Sequence, residues 1–374
     1  MKKIIKETQE KLLSEEKYIY SLSVLIALAG IGLLGWFGLT YFHTDTVIED
    51  VEITRDEQDK NTEDVCEFRR VLDGVCVENA QEKNPQLVAV MVENHLDARP
   101  QSGISKASLV YEAPVEGNYS RFLLVYTRGD IVSKVGPVRS ARTYYLDWIS
   151  EFESIMYMHV GGSPHALELI KKYGLFDVNE FYRGWFYWRS TDRYAPHNVY
   201  TSSELWKRAW EEYGSDIIQD ANDMVQSKGW KFENGDRCIE NCVDEIRVTL
   251  RAPVYEAVWK YSTTTDRYER FQLGKPHRDE DGNNIYADTI VVQYVDTKVL
   301  DEVGRLGMDT RGSGKASIFK NGFEISGTWK KEYRTDKTRF FDESGNEIAF
   351  KPGKIWIEVV NQIGGVETNL DKNE

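Results

Sequence analysis

Twenty-five consecutive residues without a charge, Tyr18 to Phe42 (YIYSLSVLIALAGIGLLGWFGLTYF), constrain this chain more than any other feature. As a helix rising ~1.5 Å per residue the run reaches roughly 37 Å, more than the ~30 Å hydrocarbon layer of a bilayer. Lys2, Lys3, Lys6, Lys11 and Lys17 precede it, whereas Asp45, Glu49, Asp50 and Glu52 follow. Positive flanks stay in the cytoplasm, so the C-terminal part is expected outside it. A cleaved signal peptide is the competing reading, but the run exceeds a ~7–15-residue h-region and YFHTDT offers no small-x-small cleavage site. The expectation is a single-pass anchor in the cell membrane at Tyr18–Phe42, with residues 1–17 cytoplasmic and the C-terminal domains extracytoplasmic.

Beyond Phe42 the chain is polar on average yet rich in Tyr, Trp and Phe, the composition of a folded protein with large side chains for cores and clefts. Its 374 residues, less the anchor, suit two domains. The net charge of -14 repels a polyanion, so nucleic acid is not an expected partner. Four cysteines fall into local pairs, Cys66 with Cys76 and Cys238 with Cys242, and an oxidising exterior favours disulfides. Three pairings are possible, the two local ones are expected, and free thiols compete. Zinc at the cysteines is not expected, because neither spacing is a Cys-x-x-Cys knuckle and no histidine lies near. Neither a metal nor a cofactor is assigned.

Residues 43–84 are acidic and aperiodic and read as a stalk. Residues 85–244 mix apolar strands (LVAVMVEN, ASLVYEA, RFLLVYTR, SIMYMHV) with helices, and 245–363 show short alternating runs with a hairpin signal at Asn321-Gly322, followed by a tail, 364–374. The fold class expected is α+β: an N-terminal transmembrane helix, a mixed α/β first domain and a mainly antiparallel β second domain. Gly136-Pro137 signals a helix start, with Tyr145, Trp148, Ile149 and Phe152 on its apolar face. In GGSPHALELIKKYG, Ser163 caps a helix that Gly174 closes.

Arg139 and Arg142, three apart on that first helix, would place two cations near an N-terminus, where they oppose the macrodipole unless an anion is present. A ligand carboxylate or phosphate answers this, and so does an internal pair with Glu112 or Glu116. Those two carboxylates lie beyond a strand end and suit general acid and base work. His159 and His197 are candidate proton carriers approaching one cleft, with a structural role as the alternative. Ser163 reads as a cap in preference to a nucleophile elbow. Two further matches fail. Gly312-Ser313-Gly314-Lys315 is followed by Ala316 and a strand where a phosphate loop needs Ser or Thr and a helix, and Asp279-Glu280-Asp281-Gly282-Asn283 lacks the closing glutamate of a calcium loop.

The segments VMVENHLDARPQSGISKASLVYEAPVEG, KVGPVRSAR, MHVGGSP and APHN resemble the first domain of the YerB-like extracytoplasmic lipoproteins. YEAVWKY, GKPHRD, GSGKASIFKNG, GTWKK and KIWIEVV resemble their second domain. The resemblance implies an envelope-facing protein connected with peptidoglycan synthases and without a settled activity. It implies motif positions at Asn94, Arg99, Gln101, Glu112, Glu116, Arg139, Arg142, His159, Ser163, His197 and Asn198. The chain departs from the family in lacking a lipobox cysteine, its first cysteine being Cys66. Two functions are therefore expected to compete. One is a binding module for an anionic wall component or a wall-synthesis partner, with Asn94, Arg99, Gln101, Arg139, Arg142, Ser163 and Asn198 on the ligand. The other is an enzyme acting on a cell-wall polymer through Glu112, Glu116, His159 and His197.

Overall fold

The computed structural model describes residues 66–214, 229–250, 252–361 and 365–370. In chain order the main strands are β1 (Leu87–Glu93), β2 (Leu109–Pro114), β3 (Ser120–Thr127), β4 (Ile155–His159), β5 (Phe176–Asn179), β6 (Glu245–Val248), β7 (Ala257–Ser262), β8 (Arg267–Gln272), β9 (Lys275–Pro276), β10 (Tyr286–Ala287), β11 (Thr289–Tyr294), β12 (Gly312–Lys320), β13 (Phe323–Lys331), β14 (Arg339–Asp342), β15 (Ile355–Val360) and β16 (Val366–Thr368). The α-helices are α1 (Thr143–Ile149), α2 (Pro164–Tyr173) and α3 (Ser203–Tyr213).

Ten strands form one mixed sheet in the order β14-β13-β12-β11-β15-β2-β3-β1-β4-β5. Its join is β15, which runs parallel to β11 on one side and to β2 on the other, so strands from both ends of the sequence share one hydrogen-bonded layer. A second sheet, β9-β8-β7-β6-β16 with β10 beside β8, is antiparallel. Every residue of β1 is buried, and its two-residue period divides them between cores: Val88, Val90 and Val92 pack with α3 and the second sheet, while Leu87, Ala89 and Met91 pack with α1 and α2. The continuous apolar strands of the sequence are thus covered on both faces.

Local chemistry sets the element ends. Ser163 Oγ accepts from the Ala166 N–H at 3.3 Å and Pro164 opens α2, which ends at Gly174 with φ +62°. Ser202 Oγ likewise caps α3. Asn321 and Gly322, at φ +53° and +81°, make the two-residue turn joining β12 to β13. The Gly312–Lys315 glycines lie in strand β12. Cys66–Cys76 and Cys238–Cys242 are disulfides.

The expected α+β class is corrected. Among the described residues strands dominate, and the three α-helices are only 7, 10 and 11 residues long. The expected helix from Pro137 begins instead at Thr143, because the preceding backbone is committed elsewhere: Arg139 N–H donates to Met91 O, Ala141 N–H to Gly161 O and Val138 N–H to Val199 O. The span expected at Tyr18–Phe42 and most of the stalk lie outside the described residues. Among the described residues no helix is long and apolar enough to cross a membrane.

Candidate functional site

Where β1 and β2 approach their C-terminal ends, five buried side chains close a ring of hydrogen bonds. Asn94 Nδ2 donates to Glu112 Oε1 at 3.1 Å, and Arg270 Nη2 donates to Glu112 Oε2 at 2.7 Å. Arg270 Nη1 donates to His277 Nδ1 at 2.6 Å, His277 Nε2 to Gln101 Oε1 at 3.1 Å, and Gln101 Nε2 to Asn94 Oδ1 at 2.9 Å. Ser120 Oγ adds a 2.6 Å bond to Glu112 Oε1. The ring requires a neutral His277, and burial, with the charges of Arg270 and Arg99, holds this imidazole well below its usual range.

Glu358 lies in register with Glu112 across the parallel pair, and burial followed by the Glu112 charge pushes its carboxyl well above the usual carboxylate range. Its Oε1 accepts from Trp259 Nε1 at 3.0 Å. One carboxylate, Glu112, thus faces one guanidinium, Arg270, which is also ringed by Phe122, Trp259 and Trp356. The ring is buried, its most exposed member being His277 at 6%, and its hydrogen bonds clasp the two sheets. Arg99 caps it, donating from Nε to Asn94 Oδ1 at 3.1 Å and lying over Tyr255. Burial, reinforced by Arg270, lowers the Arg99 guanidinium to about 10.

Above this clasp lies a cleft of charged groups with solvent access. Glu93 ends β1 and bridges an imidazole and a guanidinium: its Oε2 is 2.7 Å from His197 Nδ1 and its Oε1 3.1 Å from Arg139 Nε. His197 stacks on His95 with centroids 4.8 Å apart, and Tyr119 meets His95 edge-on. Arg193, in the same loop as His197, donates to Ala98 O and to Pro100 O, fixing that loop against the one carrying His95. Arg139 approaches Glu93 as an ion pair without hydrogen-bond alignment, and its buried Nε has no hydrogen-bond partner among the described residues. Burial lowers its guanidinium from the ordinary value, with Glu93 opposing the change.

The expected site residues divide between these settings. Asn94, Gln101 and Glu112 form the clasp with Arg99 over it, and Arg139 and His197 line the cleft. Arg142 is taken by Glu116 in a two-pronged pair, with Nε 2.8 Å from Oε2 and Nη2 on Oε1, while Arg121 stands 3.8 Å away. His159 is buried, bonded to Asp177 Oδ1 and Gly161 O at 2.6 Å each, and no hydrogen bond, ion pair or ring contact joins it to His197. Ser163 is a cap. Asn198 Oδ1 accepts from Arg189 and its Nδ2 donates to Ser190 O, bracing the loop behind His197. Sequence reasoning missed Glu93, His95, Asp97, Arg270, His277 and Glu358. The HLD triplet beside Glu93 was a usable signal, but nothing local ties it to His197.

A relative, "Putative lipoprotein YerB" of Bacillus subtilis (strain 168), is 32% identical over 284 residues, covering 73% of this chain and 80% of its own length. The crystal structure of YerB protein from Bacillus subtilis superposes with a TM-score of 0.70 at 28% identity, covering 81% of this chain and 99% of that one. The N-terminal domain model of a protein family of unknown function, DUF3048, matches residues 71–216, and the C-terminal domain model matches 246–357. On these matches, which include every residue of the clasp and the cleft but Glu358, the chain belongs to the DUF3048, or YerB-like, family.

Proposed function

We propose that this protein is an extracytoplasmic binding module of the cell envelope that holds an anionic group of a wall polymer in the cleft of Glu93, His197 and Arg139. The observation that supports the reading is the Arg139 guanidinium, partly desolvated and ion-paired with Glu93 while its buried Nε has no hydrogen-bond partner among the described residues. A carboxylate or phosphate accepts two parallel bonds from such a fork. The two disulfides support an oxidising location, as does the lipoprotein description of the relative. An enzyme built on Glu112 and Glu116 draws less support, since Glu112 is closed inside the clasp and Glu116 is held by Arg142.

Purified protein incubated with cell-wall sacculi tests this by co-sedimentation, with released fragments assayed in parallel. Arg139→Ala removes charge-assisted bonds worth ~1.5–3 kcal/mol, so affinity should fall ~10–150-fold. Co-sedimentation that is unchanged by Arg139→Ala refutes the reading, and so does fragment release that disappears with Glu116→Gln.

A further inference from the structure

The β5 end of the ten-stranded sheet carries a groove separate from the cleft. β5 is the outermost strand there, and two cavities of about 500 and 310 Å³ meet over it, sharing Leu175, Asp177, Asn179 and Tyr182. Both volumes suit a small-ligand site, for which ~300–1,000 Å³ is usual. Leu167, Ile170 and Lys171 of α2 wall the larger cavity, and Arg183 and Tyr213 the smaller. Tyr182 is 75% exposed, so its ring is open to a ligand. Asp177 is set by the fold: its Oδ1 stands 2.6 Å from Nε2 of the buried His159, which leaves Oδ2 to accept from a ligand. Asn179 Oδ1 accepts from the Gly161 N–H at 2.9 Å and the Phe181 N–H at 3.2 Å, which leaves its amide NH2 to donate.

These groups discriminate between ligand classes. A peptide strand added to the sheet needs the free backbone of β5, but Asn179 O already accepts from the Tyr182 and Arg183 N–H groups, and Asp177 O from the Arg183 side chain. An anion meets the Asp177 carboxylate in both cavities, and a wholly apolar ligand would bury Asp177 and Asn179 without partners. A pyranose ring answers all of these groups, because its C–H face is apolar and covers an aromatic ring while its hydroxyl rim both donates and accepts. We propose that the groove binds a pyranose ring of an uncharged glycan segment, with the sugar face on Tyr182 and its hydroxyls on Asp177 and Asn179. Leu167 and Ile170 add apolar contact on the α2 side. The groove shares no residue with the cleft of Glu93, His197 and Arg139, so it stands without the anionic reading. Arg189 braces the two regions together, donating to Glu180 Oε1 at 2.9 Å and to Asn198 Oδ1 at 3.1 Å.

Calorimetric titration and saturation-transfer NMR of the full-length chain test this with chitotetraose, cellotetraose and maltotetraose, all uncharged. At least one should bind, with an affinity that added salt leaves unchanged. Tyr182→Ala should weaken binding about tenfold, because the sugar face loses the ring that covers it, whereas Tyr182→Phe keeps that ring and should stay within about threefold. Asp177→Asn should cost about tenfold or more through the lost charged acceptor. Tyr333→Ala, at an exposed tyrosine between β13 and β14, should change nothing. Tyr182 is exposed, so its variants report on the groove even where Asp177→Asn disturbs His159 and fails to fold. Absence of binding by all three oligosaccharides at millimolar concentration overturns the proposal, as does binding that survives Tyr182→Ala intact or that falls with salt. Oligosaccharide binding without co-sedimentation on sacculi refutes the wall reading alone.

Discussion

Replacing Arg270 by methionine removes the one cation of the buried clasp while leaving an apolar side chain among Phe122, Trp259 and Trp356, whose rings stand 5.6, 5.7 and 5.0 Å from the guanidinium. The cavity term is therefore small, and the cost is electrostatic. Glu112 keeps Asn94 and Ser120 but loses the 2.7 Å bond from Arg270, and the carboxyl of Glu358 opposite supplies no cation to replace it. Removing one partner of a fully buried pair costs ~3–5 kcal/mol. We expect about 4 kcal/mol, which at ~2 °C per kcal/mol for a protein of this size lowers Tm by roughly 8 °C. Urea denaturation should show a lower midpoint at unchanged slope. Adding Glu112→Gln removes the stranded charge, so the double variant should recover ~2 kcal/mol relative to the sum of the singles. A loss below ~1 kcal/mol for Arg270→Met, or strict additivity in the cycle, would refute the clasp as an electrostatic unit.

Burial between Phe152 and Trp230, each ring 3.7 Å from Nζ, lowers the Lys337 ammonium to about 7 from its ordinary 10.5, with Glu151 opposing. Between those values the unfolded chain holds a proton that the folded chain has released, so native stability should rise with pH across that window and Lys337→Met should remove this share of the rise. Thermal melts of both proteins from pH 6 to 10 would expose the error as parallel curves. Opening Cys238–Cys242 by paired serine substitution should cost about 2 kcal/mol and opening Cys66–Cys76 about 3 kcal/mol, from loops of 4 and 10 residues' separation. The reverse order in denaturant titrations would count against a loop-entropy origin.

Elements whose determinants are local were legible in the sequence. Leu87–Asn94 and Arg121–Arg128 read as strands and match β1 and β3 to within a residue, and the Ser163 cap sets α2 where its hydroxyl meets the next turn. Asn321-Gly322 announced its hairpin. What failed depends on distant partners. Gly136-Pro137 looked like a helix start because nothing nearby says that Met91 O and Gly161 O will claim the N–H groups of Arg139 and Ala141. Glu112 looked like an acid or base because its neutralising partner, Arg270, lies on the second sheet. The arginine pair was expected on one helix, but the helix begins at Thr143; Glu116 engages Arg142 through both carboxylate oxygens, and Glu93 is ion-paired with Arg139.

The position of β15 also governs how the molecule can be made. Leu109–Pro114 is synthesised early, yet the strand that completes its second edge, Ile355–Val360, follows ~240 residues later. At ~5–20 residues per second, a nascent chain waits on the order of 10–50 s for that partner. Throughout the delay a strand that is wholly buried in the finished protein has an unpaired, apolar edge, the kind of surface that recruits neighbouring chains. The order of synthesis therefore makes Ile355–Val360 a keystone, and any holding factor that shields the β2 edge until that strand emerges would act on yield, with no effect on the stability of the completed fold.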